Sequence, residues 1–572
     1  MAGAVALCQP FHAGGKIGFL KLVDDLMVMS RRSGRGVSPK SRLHFCCLGA
    51  CLLFFLPALT HGSSKFQSST SDEQSRSAHA VARSQFESAR KAYEARDFEQ
   101  AKTLLKQVLQ ADPAWVDAHL LLGLAQVQTG ETREAIAHYQ EALKLQPKSF
   151  PGHYYLALAY LHEKNPELGR RELEQAVALN PKDPDAVYNL GVVLLDLGRP
   201  QDALPKLRRA RELGPPRLDI AFNLIRAELE SQHPEEARVE AARTAKDLAA
   251  DWEWRAAVGR LFLENHQPRD AVPYLAEALQ AQPSVDEIRR QLAVAQLQSQ
   301  DPAGALETIS NPSAAEDFYL RASAFYALRR VLEADEACRM ALEKAPGDPR
   351  YVVLRARIRQ LVGEHDAALD LLRQAEQGAP EWAEPYYSAA VSYYLERRYA
   401  EARQSLDQAL KRDPHSARSL FLYSASLVNE GNNREGEKYL RQAMALEPRN
   451  ARFQYHLGVL LLRDNRAEEA QKAFKKAVEL NPAYGPPHYQ LGKLLVRQNQ
   501  PAAAAQELEA AVRDQPDLAQ AYYQLSRAYT LLGEGAKAQQ ALATFNNLKK
   551  PETSEDQELV DEIRKQLESS PQ

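Results

Sequence analysis

Cysteine is scarce in this chain of 572 residues and is concentrated at one end. Four of the five cysteines lie within the first 51 residues, so Cys338 stands alone in the remainder. A single thiol cannot build a disulfide framework, which excludes a small disulfide-stapled fold. We expect Cys338 to behave as a small buried hydrophobic residue on a helix.

Motifs for catalysis and cofactor binding are also missing. The chain has no HExxH zinc motif, no paired CxxC, no P-loop and no GxGxxG. His119, His153 and His488 share one position of the repeat described below, but their spacing by one repeat or more prevents them from sharing a metal ion. We therefore predict no cofactor, no metal and no catalytic activity of the chain's own.

Charge of either sign is not in excess. The 72 lysine and arginine residues nearly balance 75 acidic residues, giving a net charge of −3. Binding of nucleic acid by bulk charge requires a strongly basic domain or face. No nucleic-acid partner is expected.

What the chain does contain is a pattern that recurs every 34 residues, seen most clearly in residues 451–484. Leu457 and Leu461 lie on one face of a predicted first helix, and Ala470 and Phe474 lie on one face of a predicted second helix. Asn465 falls at the turn between them. The unit predicts an antiparallel pair of helices.

Two columns of small residues support the repeat. The first-helix position of Gly458 is large only at Ile225, and the second-helix position of Ala470 is never large. A larger side chain at such a close approach would overpack the contact, at a cost of about 1–3 kcal/mol. About fourteen repeats are predicted over residues 82–550. The fifth is irregular, with Ile225 opposite Ala241, and the seventh is five residues short.

This pattern resembles the tetratricopeptide repeat (TPR) family, whose signature is W-x2-L-G-x2-Y, A-x3-F and P at a 34-residue period. The corresponding residues here are Gln454, Leu457, Gly458, Leu461, Ala470, Phe474 and Pro482. Gln454 and Leu461 replace the two aromatic residues of the first helix. The resemblance implies an all-α fold, a right-handed superhelical TPR solenoid of antiparallel helix pairs.

Residues 1–62 are predicted to be a signal peptide or an N-terminal membrane anchor. An apolar run at residues 45–59 follows a basic stretch at residues 31–42, in the order of a secretory signal. Fifteen residues are short for a membrane span, which needs about 20. Lipidation of Cys51 and a start at Met27 or Met29 are further interpretations. Membrane contact is expected only through this segment, if it is uncleaved or lipidated.

The remaining segments follow from composition and from the repeats. Residues 63–81 are serine-rich and predict a flexible linker. The shortened seventh repeat divides the rest into an N-terminal TPR array, 82–312, and a C-terminal TPR array, 313–552. Residues 553–572 predict a capping helix and tail, because their apolar residues recur at helical spacing.

The TPR resemblance also implies where a partner binds, since first helices of that family line a concave groove. The two residues directly before the Leu-Gly pair point into the groove. In this chain the first of these positions is mostly aromatic and the second is often polar. The candidate residues are Tyr154, Tyr188, Asn189, Phe222, Asn223, Tyr387, Phe421, Tyr455, His456, Tyr489, Gln490, Tyr523 and Gln524. Such a ladder suits an extended protein or peptide ligand, with Tyr387 to Tyr523 favoured. Packing between repeats is the alternative role.

These features favour an exported scaffold for protein-protein interaction, located in a periplasm or cell envelope. By resemblance, such a scaffold serves the assembly of envelope or secretion machinery. An alternative is a regulatory or substrate-docking subunit of an enzyme, for example a glycosyltransferase or peptidase. A third hypothesis, an intracellular adaptor, requires that the N-terminal segment is not translated.

Overall fold

A computed structural model describes residues 70–247 and 251–548 of the chain, with side chains from residue 80 onward. These residues form twenty-eight helices and no strand, arranged as fourteen successive pairs. In thirteen of the pairs each helix packs against its partner along its length, and in the seventh the hydroxyl of Thr308 donates to the side chain of Gln296 at 2.8 Å. The all-α architecture and the number of repeats are as predicted. The predictions for residues 1–62 and 553–572 lie outside the described residues.

The first helices are mostly thirteen residues long, and most second helices are fourteen. The first helices are α1 Thr70–Glu94, α3 Val116–Gln128, α5 Phe150–His162, α7 Pro184–Asp196, α9 Leu218–Glu230, α11 Trp252–Glu264, α13 Asp286–Gln298, α15 Ala315–Ala327, α17 Pro349–Leu361, α19 Ala383–Leu395, α21 Ala417–Asn429, α23 Ala451–Arg463, α25 Gly485–Arg497 and α27 Ala519–Leu531. The second helices are α2 Phe98–Ala111, α4 Thr132–Leu145, α6 Pro166–Leu179, α8 Pro200–Leu213, α10 Pro234–Asp247, α12 Pro268–Ala281, α14 Pro302–Thr308, α16 Val331–Lys344, α18 His365–Gly378, α20 Tyr399–Arg412, α22 Asn433–Leu446, α24 Ala467–Leu480, α26 Pro501–Asp514 and α28 Gly535–Leu548.

The turn within each pair has one recurring conformation. In the twelfth pair, α23–α24, the backbone N–H of Arg466 donates to the carbonyl of Leu461 at 2.8 Å, and Asn465 between them has φ of 60°. This is the Schellman termination of a helix, which requires one residue in the left-handed region. All fourteen pairs have a residue with positive φ here, glycine in five and another residue in nine. The turn predicted at Asn465 is confirmed.

The small first-helix column marks the closest approach of each pair. A Cβ added to Gly458 would lie 2.4 Å from Cε1 of Phe474, and one added to Gly123 would lie 2.5 Å from Cε1 of Tyr139. Both aromatic rings are fully buried. The second helix therefore inserts one large side chain against a first-helix backbone, which explains why the column tolerates little bulk.

Cys338 occupies the large-residue position of α16 and is fully buried. Its thiol donates to the carbonyl oxygen of Tyr351, with 3.1 Å between sulfur and oxygen. Burial raises the pKa of this thiol to about 12. The prediction of a small buried residue on a helix is confirmed.

In the fifth repeat the small and the large residue of this contact are exchanged between the two helices. Ile225 of α9 takes the small position and Ala241 of α10 takes the large one, and both are fully buried. The isoleucine supplies from the first helix the volume that the second helix lacks. Cores tolerate such an exchange when the total volume is kept, and we interpret the fifth repeat in this way.

The seventh repeat is shortened in its second helix. Helix α14 spans seven residues, half the length of its counterparts, and Ile309 at its end is buried. The chain divides into two compact units that meet in sequence at Ile288 and Arg289, within α13. The predicted boundary at 312/313 lies after α14. We call the two parts the N-terminal unit and the C-terminal unit.

Helix α1 begins earlier than the first predicted repeat. It starts at Thr70, so residues 70–81 of the predicted linker are helical. This stretch contains neither proline nor glycine, and nothing in it stops a helix from extending backward from the repeat. Across residues 70–247 and 251–548, no helix has both the length and the apolar composition that a membrane span requires.

Candidate partner-binding surface

The aromatic column lies on the first helices, but its members differ in exposure. Tyr188, Phe421 and Tyr455 are buried, with 6–8% of their surface exposed. Tyr523 is 43% exposed. The half-buried members are Tyr154, Phe222, Tyr387 and Tyr489. A partner can therefore reach the column most easily at its C-terminal end.

In the N-terminal unit, the polar column connects one repeat to the one before it. The side-chain amide of Asn189 donates to the hydroxyl of Tyr154 at 3.0 Å. Asn223 donates to the hydroxyl of Tyr188 at 2.9 Å in the same way. Burial raises the pKa of both tyrosines, so their hydroxyls stay neutral and accept these bonds. These four candidate residues are engaged in packing between repeats.

The same spacing recurs in the C-terminal unit with different chemistry. The ring centroids of Phe421 and His456 lie 4.8 Å apart. Tyr455 packs edge-on against Tyr484, at 5.6 Å between centroids. In both units, then, a residue of the aromatic column contacts a residue of the polar column 35 positions further on. The 35-residue separation is visible in the sequence, but it does not by itself show that the two side chains meet.

A buried ion cluster was not foreseen. Glu384 of α19 is 3% exposed, and its carboxylate is bonded by the guanidinium groups of Arg357 from α17 and Arg418 from α21. Burial alone would raise the pKa of Glu384, but the two arginines outweigh it and hold the pKa below its usual range. Arg418 also lies over the ring of Tyr387, 4.3 Å from its centroid. Tyr387 is therefore covered on one face by a fixed cation.

A related ion pair stands two repeats earlier along the unit. Arg350 of α17 donates to both carboxylate oxygens of Glu316 in α15, at 3.2 and 2.9 Å. The hydroxyl of Tyr351 donates to the same carboxylate at 2.9 Å. Arg350, Arg357 and Arg418 are thus neutralised by acids of neighbouring first helices.

The end of the C-terminal unit differs. Lys493 lies one turn after Tyr489, and its ammonium nitrogen is 5.9 Å from that ring's centroid. Arg527 lies one turn after Tyr523 and donates to Gln524 at 3.3 Å. Among the described residues neither cation has an ion-pair partner. Gln490, directly after Tyr489, is 2% exposed, so it belongs to the packed interior and not to the surface.

The three recurring histidines form one structural motif. The Nε2 atoms of His119, His153 and His488 each lie 3.0 Å from the carbonyl oxygen of the proline six residues earlier. A carbonyl only accepts, so Nε2 carries a proton in each case. The Nδ1 atoms face the second helix of the same pair, at 3.0 Å from His138 Nδ1 for His119 and at 2.6 Å from a glutamate for the other two. These contacts hold all three side chains within their own helix pairs.

Sequence comparison defines the class of the protein. Two profiles of the tetratricopeptide repeat match the chain, one at residues 86–150, 120–184, 154–217, 188–252, 354–423 and 425–484 and the other at 262–322 and 461–525. The chain belongs to the tetratricopeptide repeat family. These repeats make it a scaffold for protein-protein interaction, of a kind that is typically non-catalytic.

Comparison with individual proteins adds only distant similarity. No curated protein sequence matches the chain. Among solved structures, the APC/C hetero-tetramer Cut9–Hcn1 is 14% identical, with a TM-score of 0.38 over 77% of this chain and 95% of that one. YrrB, described as a TPR protein with an unusual peptide-binding site, is 20% identical, with a TM-score of 0.30 over 32% of this chain and 95% of that one. MamA is 23% identical, with a TM-score of 0.28 over 30% and 91%.

Proposed function

We propose that the protein is an exported scaffold that binds a segment of a partner protein along the first helices of its C-terminal repeats. The observation that carries this proposal is the exposure of the aromatic column. Tyr154 and Tyr188 in the N-terminal unit are tied into contacts between repeats, whereas Tyr523 presents 43% of its surface to solvent. Tyrosine supplies large contact area at low entropic cost, which is why it is enriched in binding surfaces.

Site-specific photo-crosslinking tests the binding surface. A photoreactive residue is placed at Tyr523 in one variant and at Tyr522 in another, and each full chain is irradiated in its native host. Tyr522 is the matched control, because it is a half-buried tyrosine on the same helix, one position away and so on a different face. We expect a discrete crosslinked partner from position 523 and little from position 522. Equal crosslinking from both positions, or none from either, contradicts the proposed surface.

Export is supported by the order of the basic and apolar stretches in residues 31–59. The proposed location is a periplasm or cell envelope, in the assembly of envelope or secretion machinery. The mass of the intact chain purified from its host tests export. A mature chain beginning near residue 60, recovered with the envelope, agrees with the proposal. A soluble intracellular chain that was never processed contradicts it.

A further inference from the structure

We infer that the first helices of the last four repeats bind an extended acidic segment of a partner protein. This inference rests on the proposed function and adds the chemistry of the ligand. Helices α21, α23, α25 and α27 contain no aspartate and no glutamate. Their basic residues are Arg418, Arg452, Arg463, Lys493, Arg497 and Arg527.

The net charge of the chain hides this concentration, because acidic residues gather on other helices. The first helices from α3 to α11 of the N-terminal unit carry eight acidic residues and only three basic ones. Asp117, Asp185, Asp219 and Glu253 occupy one column, at 34-residue spacing except for proline at position 151. An acidic ligand is therefore disfavoured on the N-terminal first helices and favoured on the C-terminal ones.

The two last repeats leave their cations available. Earlier in the C-terminal unit, Glu316 and Glu384 neutralise the arginines of neighbouring first helices. The first helices after α19 carry no aspartate or glutamate that could form an ion pair with Lys493 or Arg527. Neither of these two forms an ion pair among the described residues, and Arg527 is exposed. Carboxylates of a ligand would supply the missing partners.

The aromatic residues lie beside the cations at the spacing of one helical turn. Tyr489 precedes Lys493 by four residues, and Tyr523 precedes Arg527 by four, so each pair shares one helix face. A ligand side chain can thus contact a ring while a neighbouring carboxylate contacts the cation. Packed helices are about 8–10 Å apart, and an extended chain advances about 3.3 Å per residue. Four repeats therefore accommodate roughly twelve residues.

Fluorescence anisotropy with the full chain tests the inference. The probes are labelled twelve-residue peptides in which tyrosine alternates with glutamate, with glutamine or with lysine. We expect the glutamate peptide to bind at least tenfold more tightly than the glutamine peptide. Its affinity should fall at least tenfold between 50 and 500 mM salt, because salt screens exposed charges.

Charge reversal locates the site. The double variant Lys493→Glu with Arg527→Glu should lose at least tenfold in affinity for the glutamate peptide. The control is Lys472→Glu with Lys475→Glu, which makes the same change in net charge at exposed positions of second helix α24. The control should bind like the unmodified chain. Circular dichroism and thermal unfolding verify that both variants are folded.

The outcomes separate the two proposals. Equal binding of the three peptides, or equal losses in both double variants, overturns the acidic-segment inference. If a partner nevertheless crosslinks at position 523, the proposed function stands and only the acidic-segment inference fails. Tighter binding of a twelve-nucleotide single strand than of the glutamate peptide also overturns the inference, in favour of a nucleic-acid ligand.

Discussion

For Ile225 and Ala241 of the fifth repeat we predict a result opposite to the one that the other repeats suggest. Judged by the columns alone, Ile225→Ala restores the usual small residue and should be neutral or stabilising. Ile225 is instead the large residue of its contact and is fully buried. We expect Ile225→Ala to destabilise the α9–α10 pair by about 2–5 kcal/mol, the usual range for removing a buried isoleucine.

The partner substitution gives the complementary result. Ala241→Leu adds bulk to a filled contact and should cost about 1–3 kcal/mol. Combining it with Ile225→Ala moves the large side chain to the second helix, as at Gly259, where an added Cβ would lie 2.6 Å from Cγ of Leu275. The double variant should therefore recover most of the loss. Contacting residues of this kind couple by about 0.5–3 kcal/mol, and here we expect about 2 kcal/mol or more.

Hydrogen exchange resolved by peptide suits a long repeat array, because its repeats open locally and a single midpoint of unfolding is poorly defined. The amides of residues 218–247 report on the altered pair, and those of residues 451–480 serve as an internal reference. A coupling of about 2 kcal/mol corresponds to roughly a 30-fold difference in local opening. Additive losses in the double variant, or a stabilising Ile225→Ala, would refute the exchange of sizes.

Three further perturbations follow from contacts described above. Glu384→Ala leaves Arg357, whose side chain is only 11% exposed, without its carboxylate and should destabilise α17–α21 by about 3–5 kcal/mol, seen as faster exchange there but not in α5–α8. Gly130→Ala places a Cβ at φ of 83° and should cost about 1–2 kcal/mol in the first repeats, whereas Gly535→Ala, which meets no neighbouring atom within 4 Å, should cost far less. The hydrogen bond to Glu507 raises the pKa of His488 against the effect of burial. The stabilisation that this bond gives the α25–α26 pair is therefore complete below about pH 6.5 and is lost as pH rises through the raised pKa. Burial, followed by the charge of the facing His119, lowers the pKa of His138, so stability near α4 is present above about pH 6.5 and falls on acidification. Between pH 7.5 and 5.5, corrected exchange should therefore accelerate around α4 and slow around α25–α26, and a change of the same sign at both places would contradict this assignment.

The repeat architecture could be predicted because it depends on contacts that recur at a fixed spacing. Gly458 and Phe474 are sixteen residues apart, and the same separation joins a small and a large residue in pair after pair. The turn at Asn465 follows from the same register. The sequence marks Ile225 and Ala241 as departures, but only their burial in the structure indicates that each compensates the other.

The roles of the candidate site residues could not be read in the same way. Tyrosine followed by asparagine in two successive repeats is equally compatible with a ligand ladder and with a bond between repeats. The bond from Asn189 to Tyr154 depends on the offset between stacked first helices, which no single repeat encodes. The position of Glu384 between two arginines depends on three repeats at once. Local patterns determine the helix pairs, while the surface depends on how neighbouring pairs meet.

The burial of Cys338 has a practical consequence for studying this chain in solution. A thiol with no exposed surface and a pKa near 12 has almost no thiolate at neutral pH, and the thiolate is the species that reacts with maleimides. A cysteine introduced at an exposed position such as Lys475 would be modified in preference to it. Fluorescent or spin labels can therefore be placed on individual repeats without first removing the native thiol of the repeat array.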